Sequence, residues 1–172
     1  MSGDQFLPRS LDYIGTLGAK LRDLRGYRTL AHELIQNADD VRDASYITFD
    51  VGDEALVVDN DGRFSRCESL ASPECSWQSD PNRGRRCDFH RFRLIASGDK
   101  RSEAGTTGAF GIGFIAVYQI TDSPELISNG EHWTIQEDRP ERERIKRCNP
   151  DKGCKTCRSP SLPGTRFILP WA

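Results

Sequence analysis

Residues 32–40 read HELIQNADD, and where this stretch places a carboxylate, an amide and a second carboxylate decides how the rest of the chain is read. The surrounding run, from about Tyr27 to Arg42, has the periodicity of a helix. At about 100° per residue, with Glu33 set to zero, Asn37 falls near 40° and Asp40 near 340°. Leu30, Ala31, Leu34, Ile35, Ala38 and Val41 fill the next arc, from about 60° to 200°. Arg28, His32, Gln36 and Asp39 fall on the remaining side, the natural solvent face. Glu33, Asn37 and Asp40 therefore border the apolar stripe, where a cleft can open beside a core.

Working outward, a first helix is expected from about Ser10 to Arg25, ended by Gly26. Residues 44–62, ASYITFDVGDEALVVDNDG, alternate like a hairpin, with strands Tyr46 to Val51 and Ala55 to Asp59 around a Gly52-Asp53 turn. Residues 66–101 read as a polar insertion. A glycine-rich stretch, GAFGIGF at 108–114, leads into an apolar helix from about Gly111 to Ile120. PELISN, HWTIQE and GTRFILP read as strands, with a charged, cysteine-bearing insertion at about 138–158 before the last. This order predicts an α+β fold over 1–172, a single domain with helices on one face of a mostly antiparallel sheet.

The chain has 172 residues, enough for one core, and 8 Phe, 3 Trp and 4 Tyr to anchor it. A formal charge of −2 gives no general attraction to nucleic acid or membrane surfaces. There is no apolar run near the length of a membrane span and no apolar signal core at the N-terminus, so an intracellular, cytoplasmic, soluble protein is expected. Six cysteines in such a setting favour metal binding or thiols over disulfides.

Four separated pieces carry chemistry together. Glu33, Asn37 and Asp40 are the first, VVDNDG at 57–62 the second, GAFGIGF the third and the Gly-Thr that opens the last strand the fourth. A strand-end carboxylate can accept a hydrogen bond from an adenine amino group, and Gly62 leaves room for the base. Gly108, Gly111 and Gly113 let backbone approach phosphates at a helix start. Asn37 can offer its amide oxygen to Mg²⁺, and Glu33, one turn earlier, can orient and deprotonate a water. Asp40 can hold a water or side chain near the base, Thr165 can add a hydroxyl, and Lys100 can reach a phosphate.

The order E-x-x-x-N-x-x-D, D-x-x-G, G-x-x-G-x-G-F, G-T resembles the GHKL ATPases, which include gyrase, the Hsp-ninety chaperones and histidine kinases. TTGAFGIGFIAVYQITDSPELIS at 106–128 resembles the Hsp-ninety-like branch, and within it sacsin-type ATP-binding modules. The resemblance implies a Bergerat fold (a two-layer α/β sandwich), Mg·ATP between helices and sheet, and slow hydrolysis coupled to lid closure or a nucleotide-dependent dimer. It also implies a module of a larger protein, switching how downstream domains meet. One departure stands out. The family's adenine motif is usually D-x-G, whereas here that spacing falls on Asn60, flanked by Asp59 and Asp61. Asp61 is slightly favoured for the base contact, with Asp59 and Asn60 kept open.

Cys67, Cys75, Cys87 and His90 offer enough ligands for a closed zinc site. Cys148, Cys154 and Cys157 form a second partial set, completed by His132 or paired as Cys87, His90, Cys154 and Cys157. A different class of function is a zinc-stabilised nucleic-acid-binding module. There Arg83, Arg85, Arg86, Arg91 and Arg93 would meet phosphates, and Phe89 and Phe92 would stack on bases.

Overall fold

The computed structural model describes residues 5–7, 26–39, 44–93, 113–148 and 164–172. The expected first helix, the glycine-rich loop through Ile112, and Asp40, Lys100, Gly108, Gly111, Cys154 and Cys157 lie outside them. Seven strands form one antiparallel sheet: β1 (Gln5–Leu7), β2 (Ile47–Val51), β3 (Ala55–Asn60), β4 (Glu125–Ser128), β5 (Glu131–Ile135), β6 (Ile145–Arg147) and β7 (Thr165–Pro170), in the order β1-β6-β5-β4-β7-β3-β2. Among the described residues two α-helices accompany it, α1 (Gly26–Asp39) and α2 (Asp88–Arg93). The expected α+β class with an antiparallel sheet is observed.

Alternation explains the layers. In β3 and β7 every second residue is buried: Leu56, Val58 and Asn60 on one, Thr165, Phe167 and Leu169 on the other. Strand register aligns these residues in rows across one face. An apolar row runs Val58–Phe167–Leu126–Trp133. A polar row beside it runs Asn60–Thr165–Ser128–Glu131. Leu30 and Leu34 of α1 join the core formed on the apolar part.

The buried arc of α1 differs from the expected one. Leu30, Leu34, Asn37 and Ala38 are buried, whereas Ile35 is 48 % exposed. The core-facing arc is thus centred near about 90° rather than 130° on the scale above, which draws Asn37 into the stripe. Glu33 stays at its border, half-buried.

Three further corrections concern short elements. The apolar stretch after the glycines is a 3-10 helix, Gly113–Gln119, that packs against α1. The stretch 138–158, read as an insertion, contributes β6, which is paired with β5 on one side and β1 on the other. The 66–101 insertion also enters the core, because all six residues of α2 are buried. Phe89 lies 4.8 Å from Trp133, and Phe92 lies 4.8 Å from Phe114, ring centroid to centroid.

A strap binds the insertion to the sheet. After β3 the chain crosses the polar row strand by strand. Gly62 accepts a hydrogen bond from the Thr165 hydroxyl (2.7 Å), the Phe64 amide donates to Ser128 (3.0 Å), and Arg66 pairs with Glu131 (3.2 Å). The next residue is Cys67. Gly164 makes the close approach possible: a Cβ there would lie 2.4 Å from the Asp61 carbonyl oxygen.

Candidate functional site

The polar row accounts for several residues that the sequence assigns to a nucleotide. Thr165 gives its only hydroxyl proton to the Gly62 carbonyl and also meets Ser128, at 2.8 Å. Asp59, on the opposite strand face, holds Arg166 through two hydrogen bonds of 2.7 Å. Asp61 turns away from both. It accepts bonds from the Ser45 amide (2.7 Å), the Ser45 hydroxyl and the Tyr46 amide (3.2 Å), tying the entry of β2 to the exit of β3.

These bonds hold the Asp61 carboxyl at about 2, below its ordinary 3.8, with the Ser45 hydroxyl the largest cause. A depressed carboxyl contributes stability that is complete above its unfolded value and is lost as pH falls through the folded one. Exchange protection of the Ser45 and Tyr46 amides is therefore expected to hold down to about pH 4 and to fall between there and pH 2. Asp61→Asn, followed by amide exchange, is expected to abolish that acid-dependent loss.

Among the described residues three side-chain amides keep a buried atom without a hydrogen-bond partner: Gln119 through Nε2 and, in two buried residues, Asn37 through Nδ2 and Asn60 through Oδ1. Asn37 and Asn60 are 4 % and 2 % exposed. Asn60 faces the α1 side, on the same strand face as Leu56 and Val58. Asn37 lies one turn beyond Leu34, and Leu34 and Leu56 line a common cavity. Asn60 thus lies on the sheet face that carries Leu56 and Val58, and Asn37 lies on the buried side of α1. That cavity, of about 530 Å³, includes Leu30, Phe49, Val51 and Trp171 and no titratable side chain. It occupies the Leu56 end of the face; Asn60 and the polar row lie at the other end.

The second group lies in the insertion. Ligand atoms of Cys67, Cys75, Cys87 and His90 all fall within 4.8 Å of one another, and all four residues are buried. His90 Nδ1 is 3.4 Å from the Cys67 sulfur and 3.2 Å from that of Cys87. His90 Nε2 lies 3.0 Å from the Ser72 carbonyl and, as its donor, leaves the lone pair on Nδ1, toward the sulfurs. The Cys87 amide points at the Cys75 sulfur, at 3.3 Å. Burial lowers the His90 pKa, against the opposing effect of the Ser72 bond, so the imidazole is neutral at neutral pH. Burial pushes the Cys87 thiol up to about 12. Burial acts in the same direction on Cys67, but hydrogen bonds from Ser69, Cys87, Ser76 and Cys75 outweigh it and bring that thiol below its ordinary value. Three sulfurs and an imidazole in this arrangement can hold a metal ion such as zinc.

Of the three ligand arrangements open in the sequence, the first is gathered among the described residues; the other two include Cys154 and Cys157, which lie outside them. Among the described residues Cys148 takes no part in the first. His132 instead meets Glu125 at 2.8 Å.

The arginine cluster does not form one surface. Arg83 stacks over Trp77 at 4.0 Å, but Arg91 and Arg93 are buried, bonded to Asp88 and to the Leu70 and Ser72 carbonyls respectively. Phe89 and Phe92 have no exposed surface, which removes them from stacking on bases. The signal that sequence reading lacked was the packing of the two phenylalanines on the sheet and the bonding of Arg91 and Arg93 within the insertion.

An antiparallel α+β domain with a buried three-cysteine, one-histidine group in an insertion is the class that fold and site define. The family model described as Sacsin domain matches residues 17–155, and the chain belongs to that family. It is 31 % identical over 106 residues to Sacsin from Homo sapiens, covering 60 % of this chain and 2 % of that protein. It is 30 % identical over 105 residues to Protein NO VEIN from Arabidopsis thaliana, covering 59 % of this chain and 3 % of that protein. The chain thus spans a small fraction of the relatives it matches.

No helix among the described residues is long and apolar enough to cross a membrane.

Proposed function

We propose that this domain is a Bergerat-type module of the GHKL class that binds Mg·ATP at the polar end of the interface between α1 and the sheet. The observation that carries the reading is the pair of buried, half-unpartnered amides, Asn37 and Asn60. A buried polar atom without a partner costs about 1–3 kcal/mol, and a polar ligand that reached Asn37 and Asn60 would remove that cost. Family membership is consistent with the module but does not speak to the nucleotide.

In this reading Asn37 offers its amide oxygen to the magnesium ion, which would bridge and neutralise the phosphates. Its Nδ2 is then left to donate to a phosphate oxygen or a water. Glu33, at the stripe's border, orients the attacking water and takes its proton. Asn60 meets the base. Asp59 and Asp61 are held by Arg166 and by Ser45, so neither is the group left over for it. As the motif order implies, Lys100, Gly108 and Gly111 serve the phosphates and Asp40 holds a water or side chain near the base, while Gly113 opens the 3-10 helix that packs on α1. ATP-driven closure would change how neighbouring domains of a larger protein, or a second copy, meet this one.

Calorimetric titration tests it. Saturable Mg·ATP binding is expected, weakened at least about tenfold by Asn37→Ala, a loss of about 1.4 kcal/mol. Glu33→Ala is expected to keep binding and to stop phosphate release. Equal heats with and without Asn37 would remove that residue from the site. The nucleic-acid reading has no supporting geometry, since its aromatic and two of its arginine side chains lie in the core.

A further inference from the structure

We propose that Cys67, Cys75, Cys87 and His90 hold a single, permanently closed zinc ion whose work is to fasten the strap and α2 onto the sheet. Distances support a tetrahedral site. Zinc–sulfur bonds of about 2.3 Å and zinc–nitrogen bonds of about 2.0 Å give a nitrogen–sulfur edge of about 3.5 Å. The His90 edges to Cys67 and Cys87 are 3.4 and 3.2 Å, and all four ligand atoms lie within 4.8 Å of one another. The donors fit a borderline-soft ion, since three thiolates and an imidazole are ligands that hard cations such as magnesium avoid.

The surroundings of the site complete it. The Ser72 carbonyl that receives His90 Nε2 also receives Arg93 (2.7 Å), and Arg93 bonds the Leu70 carbonyl at 3.2 Å. The imidazole is therefore fixed in the orientation that presents Nδ1. Zn²⁺ with three thiolates carries a net charge of −1. The buried Arg93 guanidinium, which shares the Ser72 carbonyl with His90, would offset it. With four protein ligands there is no position for a water, so the ion is structural and takes no part in hydrolysis.

The mechanical consequence follows from where the ligands sit. Cys67 ends the strap that crosses β7, β4 and β5. Cys87 and His90 flank the first turn of α2, whose Phe89 and Phe92 fill the core. Ser65 and Asp88 tie the same two segments together: Asp88 accepts from the Ser65 amide (2.8 Å) and hydroxyl (2.6 Å), and the Ser65 hydroxyl meets the Asp88 amide (2.9 Å). One metal ion thus holds the aromatic residues of a polar insertion in the main core, whether or not a nucleotide binds.

Elemental analysis of the purified chain, washed with a weak chelator, is the test. At least one zinc per chain is expected. That zinc is expected to survive in His90→Cys, which offers a fourth thiolate, and in the double variant Cys154→Ser, Cys157→Ser. It is expected to fall at least about fivefold in Cys87→Ser. Cobalt exchanged into the chain should give tetrahedral d–d bands that shift in His90→Cys. Stripping with a strong chelator should increase amide exchange across residues 62–67 and 87–93. Folded protein without zinc, or zinc lost from the Cys154→Ser, Cys157→Ser variant, overturns the assignment; the latter would indicate the pairing of Cys87 and His90 with Cys154 and Cys157.

Discussion

Phe92→Ala is expected to destabilise the domain by about 4 kcal/mol, a large share of the roughly 5–15 kcal/mol that holds a domain together. The residue lies in a stretch that the sequence presents as a polar insertion, and on that view its loss would be nearly neutral. The structure places it with no exposed surface among Phe64, Phe114, Trp133 and Phe167. Truncation removes the ring's transfer free energy and leaves a cavity among four aromatic neighbours that cannot all close in. Thermal unfolding should fall by about 8–16 °C for a domain of this size. A change below about 1 kcal/mol would mean that α2 packs elsewhere.

Glu131→Ala has the second largest expected effect, about 3 kcal/mol. Glu131 ends the polar row, is 2 % exposed, and receives Arg147 (2.6 Å to Nη2), Arg66 (3.2 Å) and the Trp133 indole (3.1 Å). Removing the carboxylate leaves a guanidinium and an indole N–H in the interior with less than their full set of acceptors. Because Arg66 is 43 % exposed it can turn to water, so the figure sits at the lower end for a broken buried pair. Glu131→Gln keeps the shape and removes the charge. Denaturant unfolding of the two variants should therefore separate them, with Gln the milder.

The elements legible in the sequence were those whose own pattern fixes them. β2 alternates apolar and polar residues, the apolar runs of β3 and β7 are bounded by turn residues, and α1 has a helical stripe. The cysteine–histidine spacing pointed to the ligand group that the fold gathers. What was hidden depended on partners distant in sequence. β6 is three residues, Ile145–Arg147, with a single apolar side chain, and becomes a strand because β5 and β1 flank it. α2 carries two arginines and a histidine among its six residues, and no periodicity marks it as buried. Its arginines are inside because carbonyls and Asp88 receive them.

The same limit governed the candidate nucleotide site. Composition cannot separate Asp59, Asn60 and Asp61, because each is a short polar residue near a strand end. Pleat and register do separate them. Asp59 alternates onto the face with Arg166, Asp61 leaves the strand for Ser45, and Asn60 stays on the face toward α1. Thr165 resembles a ligand group in sequence but closes the strap in the fold. A residue's neighbours across strands, rather than its type, decided which role remained open.

A crystal structure of the zinc-loaded chain, grown with Mg²⁺ and a non-hydrolysable ATP analogue, tests the central claim most directly. The account predicts the base against the Asn60 amide and the metal within about 2.1 Å of the Asn37 amide oxygen, between α1 and the polar row. An analogue bound elsewhere, or crystals at saturating analogue with both amides still unpartnered, would contradict it.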